Sequence, residues 1–151
     1  MNALNLITDI TKICAVLMLS IVLSGCAKEN EEYIFVHDSN LIRGMTCQQA
    51  HTGGQFRGEI YEFDKDGQLM EGDFTQEEIE GGYGLILFPI SASLQDEIDL
   101  TSMYLKAEVS YDMIITPTLT GKKDISGEGL IITITSGEKT KRQYRVRGFF
   151  E

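Results

Sequence analysis

Met103-Tyr104-Leu105-Lys106-Ala107-Glu108-Val109-Ser110 alternates strictly between apolar and polar side chains. Met103, Leu105, Ala107 and Val109 fall on one face. Tyr104, Lys106, Glu108 and Ser110 fall on the other. A period of two predicts a β-strand with one face buried and one wet. Helical apolar spacing is nearly absent from the chain beyond its first residues, so the fold is predicted to be all-β.

Further strands flank this one. Phe56-Arg57-Gly58-Glu59-Ile60-Tyr61-Glu62-Phe63 reads as a single strand. Asp64-Lys65-Asp66-Gly67 supplies turn chemistry, and Gln68 to Phe74 is expected to run back as a hairpin partner. Gly81-Gly82 separates an acidic loop from Tyr83-Gly84-Leu85-Ile86-Leu87-Phe88-Pro89-Ile90. That continuous apolar run predicts a strand buried on both faces, with Pro89 marking an edge or bend near its end. Met113 to Leu119 forms another segment, broken by Pro117. Gly121-Lys122-Lys123-Asp124 is expected to be a loop. Leu130-Ile131-Ile132-Thr133-Ile134-Thr135 is rich in β-branched residues. Ser136-Gly137-Glu138-Lys139 turns the chain, and Gln143-Tyr144-Arg145-Val146-Arg147 closes it. About seven short strands with turns between them predict one antiparallel β-sandwich over residues 33–151, best defined over 84–148. Tyr33 to Val36 is a further candidate strand. The pattern leaves residues 40–54 unplaced.

The 151-residue chain carries a formal charge of −10. Such acidity argues against nucleic acid as a partner, because phosphate recognition needs basic stripes. Nine of the acids cluster between Glu59 and Glu80: Glu59, Glu62, Asp64, Asp66, Glu71, Asp73, Glu77, Glu78 and Glu80. The tail instead holds Lys139, Lys141, Arg142, Arg145 and Arg147. Lys141, Arg145 and Arg147 alternate with Tyr144 and Val146, so they share an outward face, expected as a charged edge strand guarded against sheet-to-sheet pairing.

The N-terminus follows a different logic. Lys12 precedes an apolar run from Ile13 to Leu23, and no charge interrupts it before Lys28. A permanent membrane helix needs about 20 residues, so the run has the length of a secretory signal instead. It ends in Leu23-Ser24-Gly25-Cys26, which resembles the lipobox of bacterial lipoproteins. The resemblance implies that residues 1–25 form a signal-peptide helix that is removed. It also implies that Cys26 is the lipid-attachment residue and that the membrane is a partner through that lipid. Several acyl chains on one residue anchor firmly, since each buried methylene adds about 0.8 kcal/mol. Asp9 beside the single Lys12 departs from the usual basic lead. Residues 26–32 then form a lipidated Cys and acidic linker. Its Ala27-Lys28-Glu29-Asn30-Glu31-Glu32 is similar to the Lys-plus-acidic export signal of surface lipoproteins in Bacteroidetes, which implies an outer-membrane, surface-exposed location.

A second resemblance spans Asp99 to Gly148. It runs through Asp99-Leu100-Thr101-Ser102, Ala107-Glu108-Val109-Ser110, Ile115-Thr116-Pro117, Asp124-Ile125-Ser126-Gly127, Ile132-Thr133-Ile134-Thr135-Ser136 and Gln143-Tyr144-Arg145-Val146. This pattern is similar to the immunoglobulin-like β-sandwich modules near the N-terminus of Bacteroidetes surface lipoproteins. Those include lipoproteins that carry a domain assigned to carbohydrate metabolism. The match covers about 50 residues, and Ig-like strands also look alike by convergence. The resemblance implies an Ig-like sandwich acting as spacer or binding unit. The family offers no catalytic residues to carry over, and the chain stops where the larger second domain of such proteins would begin.

Catalytic and metal motifs are scarce. Cys14 is discarded and Cys26 consumed, so Cys47 stands alone among three cysteines and no internal disulfide is expected. A buried, idle thiol is its ordinary role. Of the two histidines, His37 and His51, only His51 is near Cys47, and a Cys/His pair for catalysis or zinc lacks the further ligands such a site needs. Asp64-Lys65-Asp66-Gly67 begins like a calcium loop. It fails because Leu69 stands where glycine is required and Thr75 where the bidentate glutamate belongs. No nucleophile elbow, phosphate loop or nucleotide fingerprint occurs. No metal or cofactor is expected. Aromatic residues are the remaining chemistry: Tyr104 on the outward face of its strand, and Tyr61 with Phe63 on one face of theirs, are the candidate sugar-binding residues, although core packing is the commoner role.

The sequence therefore predicts a lipid-anchored, non-enzymatic envelope lipoprotein whose single Ig-like sandwich is a structural or binding module, associated with glycan or an envelope protein. Two other readings stay open. One is a subunit of an adhesive or fimbrial assembly, for which the tail Gln143–Phe150 is the discriminating segment. The other is a small metal- or thiol-dependent enzyme using Cys47 and His51.

Overall fold

A computed structural model of the chain describes residues 37–50, 54–72 and 74–151. The chain divides into residues 1–35 and 36–151, and every described residue belongs to the second part. Cys26, the signal segment 1–25, the linker 26–32, the strand expected at Tyr33–Val36 and His51 lie outside the described residues.

The described part is all-β, built from two sheets. The first contains β1 (Gly44–Gln48), β2 (Phe56–Arg57), β6 (Met103–Glu108) and β8 (Lys122–Lys123), in the order β2-β1-β6-β8. The second contains β3 (Glu59–Phe63), β4 (Leu69–Met70), β5 (Tyr83–Ile90), β7 (Ile114–Thr116), β9 (Leu130–Thr135) and β10 (Lys141–Phe150), in the order β4-β3-β5-β10-β9-β7. A single 3₁₀ turn at Ala92–Leu94 follows β5, capped by the Ser91 side chain. Among the described residues, no helix is long and apolar enough to cross a membrane.

The sheets pack face to face. Met45, Cys47, Met103 and Leu105 from the first sheet meet Ile86, Phe88, Ile90, Ile132, Ile134, Tyr144 and Val146 from the second, all buried. The alternation expected at 103–110 is realised over Met103–Glu108: Met103 and Leu105 are buried, Lys106 and Glu108 exposed, and the strand ends before Val109, which with Ala107 is only half-buried. Leu130–Thr135 forms β9 with its expected bounds. The Asp64–Gly67 turn is also present. Asp64 Oδ1 accepts from the backbone N–H groups of Asp66 (2.9 Å) and Gln68 (2.8 Å), and Gly67 takes φ 77°. The returning strand is short, pairing only Leu69 and Met70 with Phe63 and Glu62.

The structure corrects several sequence expectations. Phe56–Phe63 is not one strand. The chain switches sheets at Gly58, whose N–H donates to Met45 O at 2.8 Å. A Cβ there would lie 2.8 Å from Ile86 Cγ2 and 3.0 Å from the Phe88 ring, so the corner between sheets needs glycine. Lys122 and Lys123 are not purely a loop, since they pair with Tyr104 and Met103. Residues left unplaced by the sequence pattern supply β1, which pairs with β6 over its whole length.

The second sheet is mixed, not purely antiparallel. β10 runs parallel to β5, from Gln143 opposite Tyr83 to Phe150 opposite Ile90, and antiparallel to β9. Parallel neighbours need a crossover between them. Here the chain crosses through the opposite sheet, by way of β6 and β8. β10 is consequently a central strand, not the edge strand expected from its charges. Gln143–Val146 is paired on both sides within its own sheet and Arg147–Phe150 on the β5 side, which counts against the use of this tail as a donor strand for another subunit. β5 is likewise not buried on both faces. Gly84, Ile86, Phe88 and Ile90 are buried, while Tyr83, Leu85 and Leu87 face outward and remain partly or largely exposed. Pro89 lies beyond the last β3 partner, Leu87, where no ladder bond is asked of its missing N–H.

Candidate functional site

The outward face of the six-stranded sheet breaks the usual rule that such faces are polar. Strand register aligns its side chains in rows. Leu69, Phe63, Tyr83, Gln143, Thr133 and Thr116 form one row across all six strands. Tyr61, Leu85, Arg145 and Ile131 form the next, and Glu59, Leu87 and Arg147 a third. Ile114, opposite Thr135, also points outward. Among the described residues, five large hydrophobic side chains are exposed, and four lie on this face: Leu69 (46%), Tyr83 (48%), Ile114 (55%) and Ile131 (47%). Scattered exposed apolar residues need no explanation, but their concentration on one sheet face marks a contact surface.

Aromatic rings define the centre of this face. Phe63 and Tyr83 stack across β3 and β5, with ring centroids 4.9 Å apart and planes 13° from parallel. Tyr61 is nearby, its hydroxyl donating to Glu59 Oε2 at 2.8 Å. Two shallow depressions adjoin the pair. One, of about 240 Å³, is lined by Tyr83, Leu85, Ile131, Gln143 and Arg145. The other, of about 610 Å³, is lined by Gly81, Gly82, Tyr83, Thr133, Lys141 and Gln143. Tyr83 and Gln143 are common to both, so an aromatic edge and an amide stand between two cationic side chains.

A buried network beneath the face holds it in place. β10 alternates its outward Lys141, Gln143, Arg145 and Arg147 with inward Arg142, Tyr144 and Val146. Arg142 is only 2% exposed. Its Nε donates to Glu62 Oε2 at 2.8 Å, and Nη1 to Ile79 O at 2.8 Å. Its Nη2 donates to Phe63 O at 2.9 Å and Tyr83 O at 2.8 Å. One guanidinium therefore clamps the backbones of both stacked aromatic residues. The Tyr144 hydroxyl donates to Glu62 Oε1 at 2.7 Å and accepts from Ile42 N–H at 3.2 Å. Burial raises the Glu62 carboxyl above its ordinary range, against the pull of Tyr144 and Arg142. The same burial, with Glu62 beside it, pushes the Tyr144 hydroxyl well up. Gly84 makes room for the Tyr144 ring, since a Cβ there would lie 2.1 Å from Tyr144 Cε1.

The three candidate binding aromatics divide between opposite faces. Tyr61 and Phe63 lie together on the six-stranded sheet. Tyr104 lies on the outward face of the four-stranded sheet, with Lys122 Nζ 5.7 Å from its ring centroid. A depression of about 580 Å³ beside it is lined by Thr46, Gln48, Gln55, Tyr104, Lys106 and Thr120, among others. Tyr104 therefore belongs to a separate, polar surface. Sequence reasoning missed Tyr83 and Gln143, which enter the site only through register. It also missed the buried role of Glu62 and Arg142, which read as members of an acidic run and a basic tail.

Cys47 is fully buried on β1, and burial pushes its thiol from 9.0 up to about 12. Burial of this kind disfavours the thiolate, the form that nucleophilic chemistry at Cys47 would need. Among the described residues, no three His, Cys, Asp or Glu side chains gather as metal ligands. His37 pairs with Asp112, Nδ1 to Oδ1 at 3.2 Å, and the Asp112 carboxyl is held low by the His37 backbone N–H that donates to it. Two segments of the Ig-like resemblance meet in space: Ile125 N–H donates to Leu100 O at 2.9 Å, and Gly148 N–H to Ile125 O at 2.7 Å.

No protein-family description matches the chain, and no curated protein matches it. Among solved structures, a "putative secreted protein" from Bacteroides fragilis aligns over 74% of this chain and 92% of its own, at 9% sequence identity and a TM-score of 0.35.

Proposed function

We propose that this chain is a lipid-anchored, non-enzymatic protein of the cell envelope whose Ig-like sandwich captures a glycan on the outer face of its six-stranded sheet. The observation that carries this reading is the gathering of four exposed apolar side chains, Leu69, Tyr83, Ile114 and Ile131, on the face that also holds the Phe63–Tyr83 stack. Apolar and aromatic side chains offer contact area to the apolar faces of sugar rings, and Gln143 offers an amide to their hydroxyls. A rigid scaffold beneath them limits the ordering cost of binding. The anchor in this reading is Cys26 of Leu23-Ser24-Gly25-Cys26, and the similarity of Ala27–Glu32 to a surface-export signal supports an outer-membrane location.

Two measurements test the two halves. Binding of the full chain to a panel of polysaccharides should weaken when Tyr83 is replaced by alanine. Tyr83 is half exposed, so the fold should survive the change. Binding that ignores Tyr83→Ala, or a hydrolytic or transferase activity on the panel, would overturn the capture reading. Labelling with a fatty-acid probe should vanish in Cys26→Ala, and unchanged labelling would overturn the anchor.

A further inference from the structure

The outward strand positions of the six-stranded sheet carry net positive charge in a chain whose net charge is −10, although at one end Lys141 also borders the acidic loop residues Glu77, Glu80 and Glu138. The outward positions present Lys141, Arg145 and Arg147 against one carboxylate, Glu59. Glu59 already accepts a hydrogen bond from Tyr61. Arg145 is tethered, its Nη1 donating to Glu128 O at 2.7 Å and lying 3.7 Å from the Glu128 carboxylate. Glu128 is almost fully exposed, so that pair is weak and open to exchange. Lys141 and Arg147 are exposed and, among the described residues, make no ion pair.

The three cations belong to one strand. Outward positions on a strand recur about every 6.6 Å, so Lys141 to Arg147 spans roughly 20 Å in a straight row. A straight row suits a linear polymer with repeating charge better than a small compact anion, and the depressions along it are shallow. Two copies of this chain meeting through the face would oppose like charges, which disfavours self-association there.

We infer that the ligand of this face is an anionic polysaccharide of the polyuronate class, whose carboxylates pair with the Lys141–Arg145–Arg147 row while its rings lie against Tyr83. This inference rests on the glycan-capture reading and narrows it to one charge class. Electrostatic attraction would also concentrate such a polymer at this face ahead of the acidic remainder of the surface.

The test uses the full chain in neutral phosphatidylcholine nanodiscs, with polygalacturonate and its fully methyl-esterified form as probes. Esterification keeps the sugar backbone and removes the charge. Polygalacturonate should bind, the ester should bind about tenfold more weakly, and affinity should fall as salt rises. Arg147→Gln together with Lys141→Gln should weaken polygalacturonate about tenfold. Lys106→Gln, a cation lost from the opposite sheet, should leave binding unchanged. Equal binding of both polymers would overturn the charge assignment and leave the platform reading standing. So would failure of polygalacturonate while a neutral polysaccharide binds in a Tyr83-dependent way. Loss of binding in Lys106→Gln equal to that in the double variant would overturn it as nonspecific attraction. Binding of neither an anionic nor a neutral polymer would overturn both.

Discussion

Arg142 and Tyr83 are joined across the sheet: the guanidinium Nη2, 2.8 Å from the Tyr83 carbonyl oxygen, donates to it from below the exposed face that the Tyr83 ring helps to form. The same nitrogen reaches the Phe63 carbonyl. A buried cation thus fixes the spacing of two aromatic residues brought from different strands. The site's geometry and the domain's stability are coupled through one side chain.

Arg142→Met tests that coupling. The substitution keeps apolar volume but strands the Glu62 carboxylate and three carbonyl oxygens, so a loss of about 3–5 kcal/mol is expected in urea unfolding. The loss should be smaller at pH 5 than at pH 8. Without Arg142 the carboxyl of Glu62 rises further, so the folded variant holds a proton that the unfolded chain releases as pH increases. A variant equally destabilised at both pH values would contradict this account of Glu62.

Gly84 is a steric requirement. Its missing Cβ leaves the gap that the Tyr144 ring fills. Gly84→Ala should cost about 1–3 kcal/mol by overpacking, since both backbone and ring are held by hydrogen bonds. Tyr144→Leu removes the hydrogen bonds to Glu62 and Ile42 and is destabilising by itself, but pairing it with Gly84→Ala should cost less than the sum of the two single changes, measured as thermal midpoints of the single and double variants.

Cys47 should be chemically silent. At pH 8, reaction with a disulfide reagent is expected to track unfolding rather than diffusion, because the buried thiol stays protonated up to about 12. Rapid labelling of the native protein, with Cys14→Ala and Cys26→Ala together so that Cys47 is the one thiol left, would show that β1 opens locally.

Alkali should destabilise the domain. The thiol of Cys47 and the hydroxyl of Tyr144 both ionise at higher pH in the folded chain than in the unfolded one. Unfolding therefore releases protons once pH passes about 9, the ordinary value for the thiol. Stability should be fully present below that pH and fall as pH climbs towards 12, by at most about 1.4 kcal/mol per pH unit for each group. Cys47→Ala should flatten the first part of the fall, which chemical unfolding at stepped pH would reveal.

What the sequence alone determined was local. The alternation from Met103 to Glu108, the β-branched run at Leu130–Thr135 and the turn at Asp64–Gly67 each carry their structure in neighbouring residues, and each is found in the fold. The apolar run Tyr83–Ile90 held a further signal. It is apolar at inward and outward positions alike, which was read as burial on both faces. One face is in fact open, and its excess of apolar residues is the candidate site itself. The resemblance of Leu23-Ser24-Gly25-Cys26 to a lipobox is equally local and lies outside the described residues. Tertiary structure alone decided what depends on register and pairing over long separations. Period-two alternation is the same in parallel and antiparallel neighbours, so nothing in β5 or β10 announced that they run side by side in the same direction. Charge along the chain likewise does not say which residues face inward. Glu62 and Arg142, 80 residues apart, become a buried pair only when β3, β5 and β10 lie together. The same pairing puts Phe63 against Tyr83 and sets Tyr104 on the opposite sheet. Hydrophobic periodicity fixes which face of a strand is buried, whereas strand order is fixed by how all the faces pack at once.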